Sequence, residues 1–202
     1  MNLHKNDLPA GLEFSGSVAV DTEAMGLVLK RDRLCLVQLC SPTGEVHLVQ
    51  MDPERCSEAV NLRNLLSDKN TLKIFHFARF DMGILNHSLG IGVSPVYCTK
   101  IASKLARTYS DRHGLKNLCR EILGVDISKH EQSSDWGTQN LSKEQLVYAR
   151  GDVIHLHALK AKLDEMLMRE NRMLLAQKCF DALEAIVALD HFGMPPEELF
   201  QH

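Results

Sequence analysis

Four carboxylates in three separated stretches could do chemistry together: Asp21 and Glu23 in VAVDTEAMGL, Asp81 in IFHFARFD, and Asp152 in YARGDV. Like charges crowded together repel and raise one another's pKa, so no fold gathers them for stability. A pair of divalent cations does need such a cluster, and metal pairs of this kind cut phosphodiester bonds. In a strand, residues two apart project from one face, separated by roughly 6.5–7 Å. Asp21 and Glu23 can therefore address one site, although two solvated edge residues would show the same spacing. Tyr148 and Asp152, four apart on a predicted helix, share a face at about 5–6 Å between Cβ atoms. A half-buried core tyrosine is the plain alternative for Tyr148. Asp81 follows Phe75, His76, Phe77, Arg79 and Phe80, a setting where a carboxylate is costly to desolvate unless paired or metal-bound. Arg79 as its ion-pair partner and His76 as a satisfied core histidine remain open at this point.

Apolar runs adjoin each acid and predict the elements that position it. SVAVDTE (17–23), RLCLVQLC (33–40) and VHLVQM (46–51) read as strands, the last two joined by the turn-forming SPTGE. A helix over 57–66 followed by a strand over 72–77, LKIFHF, predicts a parallel return to that antiparallel meander. Helical patterns follow over 78–89, where GIGVSP ends the run, then over 99–108 and 114–123. A polar segment (124–141) holds Trp136, the only tryptophan. Ser142 with Gln145 three residues on has the form of a capping box, opening a helix to about Glu170, and a last helix fits 172–190. The pattern predicts an α/β fold with a mixed central sheet of about five strands flanked by helices.

With 202 residues, 45% hydrophobic and 24% charged, the chain is expected to form one globular domain. No apolar run reaches bilayer length, and the first residues, MNLHKNDLPAGLEF, show neither a basic n-region nor an apolar core. A cytoplasmic location with no membrane partner is the expectation. The six cysteines (35, 40, 56, 98, 119 and 179) form no C-x-x-C pair, which argues against a zinc site or a disulfide framework. A net charge of −3 argues against broad gripping of long nucleic acid and leaves room for a short substrate. The balance reverses between Cys98 and Arg120, where Lys100, Lys104 and Arg107 follow helical spacing. That face is either simply solvated or turned toward phosphate.

Together, D-x-E on the first strand, an Asp after a later parallel strand and Y-x-x-x-D on a late helix resemble the DEDD superfamily of 3′-5′ exonucleases. The tyrosine four before the last acid marks the DEDDy branch. FHFARFD, CTKIASKLA, HGLKNLCREILGV, QSSDW and LSKEQLVYARGDVIHL are similar to the ribonuclease D family over about residues 15–165. LPAGLEF, RDRLCLVQL, TYSDRHGLK and the C-terminal ending are most similar to its short nano-RNase C group. Gly151 departs slightly, standing where Ala or Ser is expected, while all four acids and Tyr148 are present.

The resemblance implies a ribonuclease H-like fold and two divalent ions, Mg²⁺ or Mn²⁺, with Asp21 bridging them. Glu23 and Asp152 would complete one ion's ligands, Asp81 would hold the other, and Tyr148 would orient the attacking water. It implies hydrolysis of short single-stranded RNA, down to dinucleotides, from the 3′ end to nucleoside 5′-monophosphates. Thr22, Met25, Gly26 and Leu27 would meet the terminal nucleotide, Leu27 as an apolar wedge; ordinary core is its alternative. His76, Arg107, Arg112, His113 and Lys116 would meet phosphates, and Gln132 and Ser134 would lie near the cleft, with Trp136 either there or in packing. The expected organisation is a single exonuclease domain over 1–202, its C-terminal helices and tail spanning 166–202, without the HRDC domains of longer relatives. A closed homo-oligomeric ring of eight subunits is implied as well. The competing readings are 3′-end processing of tRNA or other structured RNA, a general exonuclease acting on DNA too, and a non-catalytic nucleic-acid binder.

Overall fold

The structure, a computed structural model, describes residues 1–127, 131 and 134–201. Its centre is a six-stranded mixed sheet in the order β1-β4-β3-β2-β5-β6. The expected meander forms from β2 (Ser17–Ala24), β3 (Leu34–Cys40) and β4 (Val46–Gln50), with β2 and β4 both antiparallel to β3. After a 3₁₀ turn (Pro53–Glu58) and helix α1 (Val60–Ser67), β5 (Leu72–Phe75) returns parallel to β2. All seven residues of β3 and all five of β4 are buried, so layers cover both sheet faces.

Two strands escape sequence reading, and both are edges. Strand β1 (Asn2–Lys5) pairs parallel to β4, and β6 (Val96–Cys98) pairs parallel to β5. One is polar and exposed and the other has three residues beside Pro95, so neither offers a readable alternation.

Helix α2 (Ala78–Leu89) follows β5 and packs on β2, β3, β5 and β6. Next come α3 (Thr99–Ala106) and α4 (Leu115–Leu118), the latter continuing as a π turn (Cys119–Leu123) that ends at Gly124 in the left-handed region. Helix α5 (Lys143–Ile154) begins at the predicted capping box. The Ser142 hydroxyl accepts from the Gln145 backbone N–H at 3.1 Å, and the Gln145 side-chain oxygen Oε1 accepts from the Ser142 N–H at 2.8 Å.

The single long helix expected to Glu170 is instead two, α5 and α6 (Leu156–Arg169), broken at His155. The break lets α5 lie across β2, β3 and β4 while α6 packs on α3. The last predicted helix also divides at Ala182, into α7 (Met173–Asp181) and α8 (Leu183–Phe192), before a short α9 (Pro196–Phe200). Arg79 is bidentate to Asp190, at 2.7 and 2.6 Å, and ties α2 to α8. It is therefore not the counter-ion of Asp81.

Beneath the β5–β6 edge lies a fully buried Lys73. Its ammonium donates to the carbonyls of Asp68, Thr71 and Ser94 at 2.6–2.7 Å. Burial pushes its pKa down to about 8, and the three carbonyls replace the lost water. Five of the six cysteines are buried. No helix of the described residues is long and apolar enough to cross a membrane.

Candidate active site

The end of β2, the start of α2 and the middle of α5 meet at one cleft of about 630 Å³. Asp21 and Glu23 come from alternate positions of β2, Asp81 from the first turn of α2, and Tyr148 and Asp152 from one face of α5. Carboxylate oxygens of Asp21, Glu23 and Asp152 lie within 4.8 Å of one another. Asp81 stands beside this triad, nearly sealed from solvent, accepting from the Thr22 hydroxyl at 2.6 Å. Gln38 on β3 donates to the other side, to Asp21 Oδ2 at 3.2 Å.

All four acids line the cleft, with Asp81 buried and the other three partly buried. Burial pushes Asp21 up to about 7, against a backbone hydrogen bond at Thr22 that pulls it down. Burial and then the charges of Asp21, Asp152 and Asp81 push Glu23 up to about 10. Burial and Asp21 also raise Asp81 well above the carboxylate range. Without a cation, burial and mutual repulsion make the ionised form of these groups costly. An all-oxygen donor set with mutually repelling carboxylates fits hard divalent ions such as Mg²⁺ or Mn²⁺.

Burial and the same acids raise the Tyr148 phenol, which is hydrogen-bonded to Asp152, and keep it neutral at physiological pH. Its ring lies 5.9 Å from that of Trp136, which is buried and lines the same cleft. The two readings of Trp136 thus converge, since it packs and also backs the cleft.

Met25, Gly26 and Leu27 form the lip after β2. Leu27 is 81% exposed and is not core. The lip is shaped by Asp32, whose carboxylate accepts from the Val28 N–H at 2.9 Å and from Arg31. The Arg31 guanidinium and the Val28 N–H hold the Asp32 carboxyl down at about 2. A side chain at Gly26 would collide with that carboxylate.

His76, Lys116, Thr22 and Ser134 also line the cleft. His76 Nδ1 lies 2.9 Å from Thr99 Oγ1. That hydroxyl donates onward to the Phe75 carbonyl at 3.1 Å, so the shared proton sits on Nδ1.

Three predicted phosphate contacts do not line the cleft. Arg107 has left the helical face, because α3 ends at Ala106, and its guanidinium is buried against Glu121 and the Arg112 carbonyl. Of the basic face 100–104–107, only Lys100 reaches the cleft. Arg112 is an exposed partner of Glu121, and His113 Nδ1 is 2.8 Å from Ser103 Oγ. Gln132 lies outside the described residues. Phe77, Phe80 and Ile127 line the cleft without having been singled out. The aromatic run before Asp81 was the only available signal for the first two.

A profile described as 3′-5′ exonuclease matches residues 5–168, a span holding every candidate acid and Tyr148. The chain belongs to the 3′-5′ exonuclease family. This exonuclease is 33% identical over 158 residues to ribonuclease D of Nitrobacter hamburgensis, an alignment covering 77% of this chain and 40% of the relative. It thus spans less than half the length of that curated relative. Among solved structures it is similar to Brucella melitensis NrnC bound to pGG, at 47% identity and TM-score 0.94, covering 100% of this chain and 98% of the other. The same Brucella protein with bound Mg²⁺ matches at 46% identity and TM-score 0.93, with the same coverage. The exonuclease has the ribonuclease H-like fold of this family.

Proposed function

We propose that the exonuclease hydrolyses short single-stranded RNA, down to dinucleotides, from its 3′ end to nucleoside 5′-monophosphates. The observation that carries this reading is the convergence of Asp21, Glu23 and Asp152 within 4.8 Å, beside Asp81 and a neutral Tyr148. Two divalent ions would be held there: Asp21 shared, Glu23 and Asp152 on one ion, Asp81 on the other. When bound, such a pair makes water acidic and stabilises the leaving oxygen.

The residues do the rest. Asp81, locked by Thr22, and Asp21, braced by Gln38, are oriented before any ligand arrives. Tyr148, hydrogen-bonded to Asp152, would orient the attacking water. Leu27 projects from the lip as the wedge against the terminal base. His76, Lys116 and Ser134 offer polar groups to the sugar-phosphate chain. The short-RNA preference is supported by the near-neutral net charge and by the likeness to a Brucella protein solved with pGG. Self-association into a closed ring is part of the proposal, supported by the exposed Leu174, Phe192 and Phe200 near the C-terminus.

Ribonuclease D-like processing of structured RNA is the second reading, favoured by the 33% identity to that relative. Rates on a dinucleotide, a longer single-stranded RNA, a tRNA precursor and duplex DNA, with Mg²⁺ or Mn²⁺, separate the two. A strong dinucleotide preference is expected. Equal rates would favour a general exonuclease, and cleavage surviving in Asp21→Ala would remove the two-metal assignment.

A further inference from the structure

Phe77 stands at the lip of the cleft in a conformation that its residue type disfavours. Its φ is 75° and its ψ 45°, the left-handed region, which Gly, Asn and Asp enter far more readily than an aromatic residue. Packing does not explain the choice, because the residue is 49% exposed. Nor does capping: no side-chain hydrogen bond closes the N-terminus of α2 here. The backbone turn instead presents the ring beside His76 and four residues ahead of Asp81, in the cleft lining. Lys100, from the first turn of α3, places its Nζ 4.0 Å from the ring centroid and lines the same cleft. A half-exposed ring held in a strained turn, with a cation against it and carboxylates beyond, has the composition of a base-and-phosphate subsite.

We infer that Phe77 is a stacking platform for a nucleobase of the substrate and that Lys100 meets the adjoining phosphate. The inference rests on the short-RNA reading and deepens it. Leu27, on the segment after β2, belongs to the same cleft lining, so the two apolar groups would engage two successive bases. That arrangement makes a dinucleotide the smallest substrate to occupy both positions. Stacking tolerates any base, so the subsite would select for length rather than sequence.

The test is binding of a 5′-phosphorylated dinucleotide RNA to the full chain by titration calorimetry, with Ca²⁺ replacing Mg²⁺ to suppress cleavage. Melting temperature and oligomer mass are followed in parallel. Asn suits the left-handed backbone, so Phe77→Asn should melt at or above the parent while binding about fivefold to a hundredfold more weakly. Phe77→Tyr should bind within about twofold of the parent. Lys100→Met should weaken binding and lower the slope of log affinity against log salt by about one.

Unchanged affinity in Phe77→Asn overturns the proposal. So does an affinity loss that tracks a fall in melting temperature, or a loss of oligomer mass that would assign the ring to a subunit contact. If the parent ignores the dinucleotide yet binds a longer single-stranded RNA, the short-RNA reading fails. The same comparison on the longer strand then decides the role of Phe77 separately.

Discussion

Asp21 and Glu23 carry most of the site's electrostatic tension. Both have folded pKa values raised above their unfolded ones, to about 7 and about 10. Between the unfolded and folded values the folded state binds more protons, so stability falls as pH rises through that window. The metal-free protein should therefore melt at a higher temperature at pH 5 than at pH 8 in EDTA. Mg²⁺ should restore much of the difference at pH 8 by binding the ionised carboxylates. Asp21→Asn should melt higher than the parent at pH 8 without metal and lack activity; an EDTA melting profile flat with pH would sink this account. Tyr148→Phe keeps the ring against Trp136 and removes only the hydroxyl. Its kcat should fall by roughly 10²-fold with little change in melting temperature, measured under saturating dinucleotide.

Elements set where these groups point, and two linkages among them are testable. The lip between β2 and β3 is fastened by Asp32 to Val28 and Arg31. Asp32→Ala should release it and raise KM several-fold more than it lowers kcat, because the acids on β2 stay in place. Lys73 joins β5 to the turns at Asp68–Thr71 and Ser94. Lys73→Met leaves three carbonyls without their donor and should cost on the order of 2–4 kcal/mol in denaturant unfolding. Much at this scale was readable: the D-x-E strand, the meander, the parallel β5 and the capping box at Ser142 all follow from local spacing. The breaks at His155 and Ala182 were not, since residues on both sides continue the helical pattern and only packing on different neighbours separates the segments.

At the scale of the whole molecule, exposed apolar residues gather toward the C-terminus, with Phe192 77% and Phe200 74% exposed. If these face a second copy, deleting residues from Gly193 onward should lower the oligomer mass in light scattering. An unchanged mass would remove the tail from the argument. The cleft is likewise a property of the whole: strand two, the turn after strand five and helices two, three, four and five each contribute to its lining.

Residue types and their spacing announced the chemistry. Two acids at strand spacing and a tyrosine four before an acid are consequences of backbone geometry, legible wherever the local period holds. They picked out Asp21, Glu23, Tyr148 and Asp152, the family resemblance added Asp81, and the cleft contains all five. Spacing could not reveal that Arg107 turns inward to Glu121, that Arg79 reaches Asp190, or that Phe77 sits in a left-handed turn with Lys100 over its ring. Those outcomes depend on strand order and on where helices end. Both are settled by contacts between residues distant in the chain, which no local period records.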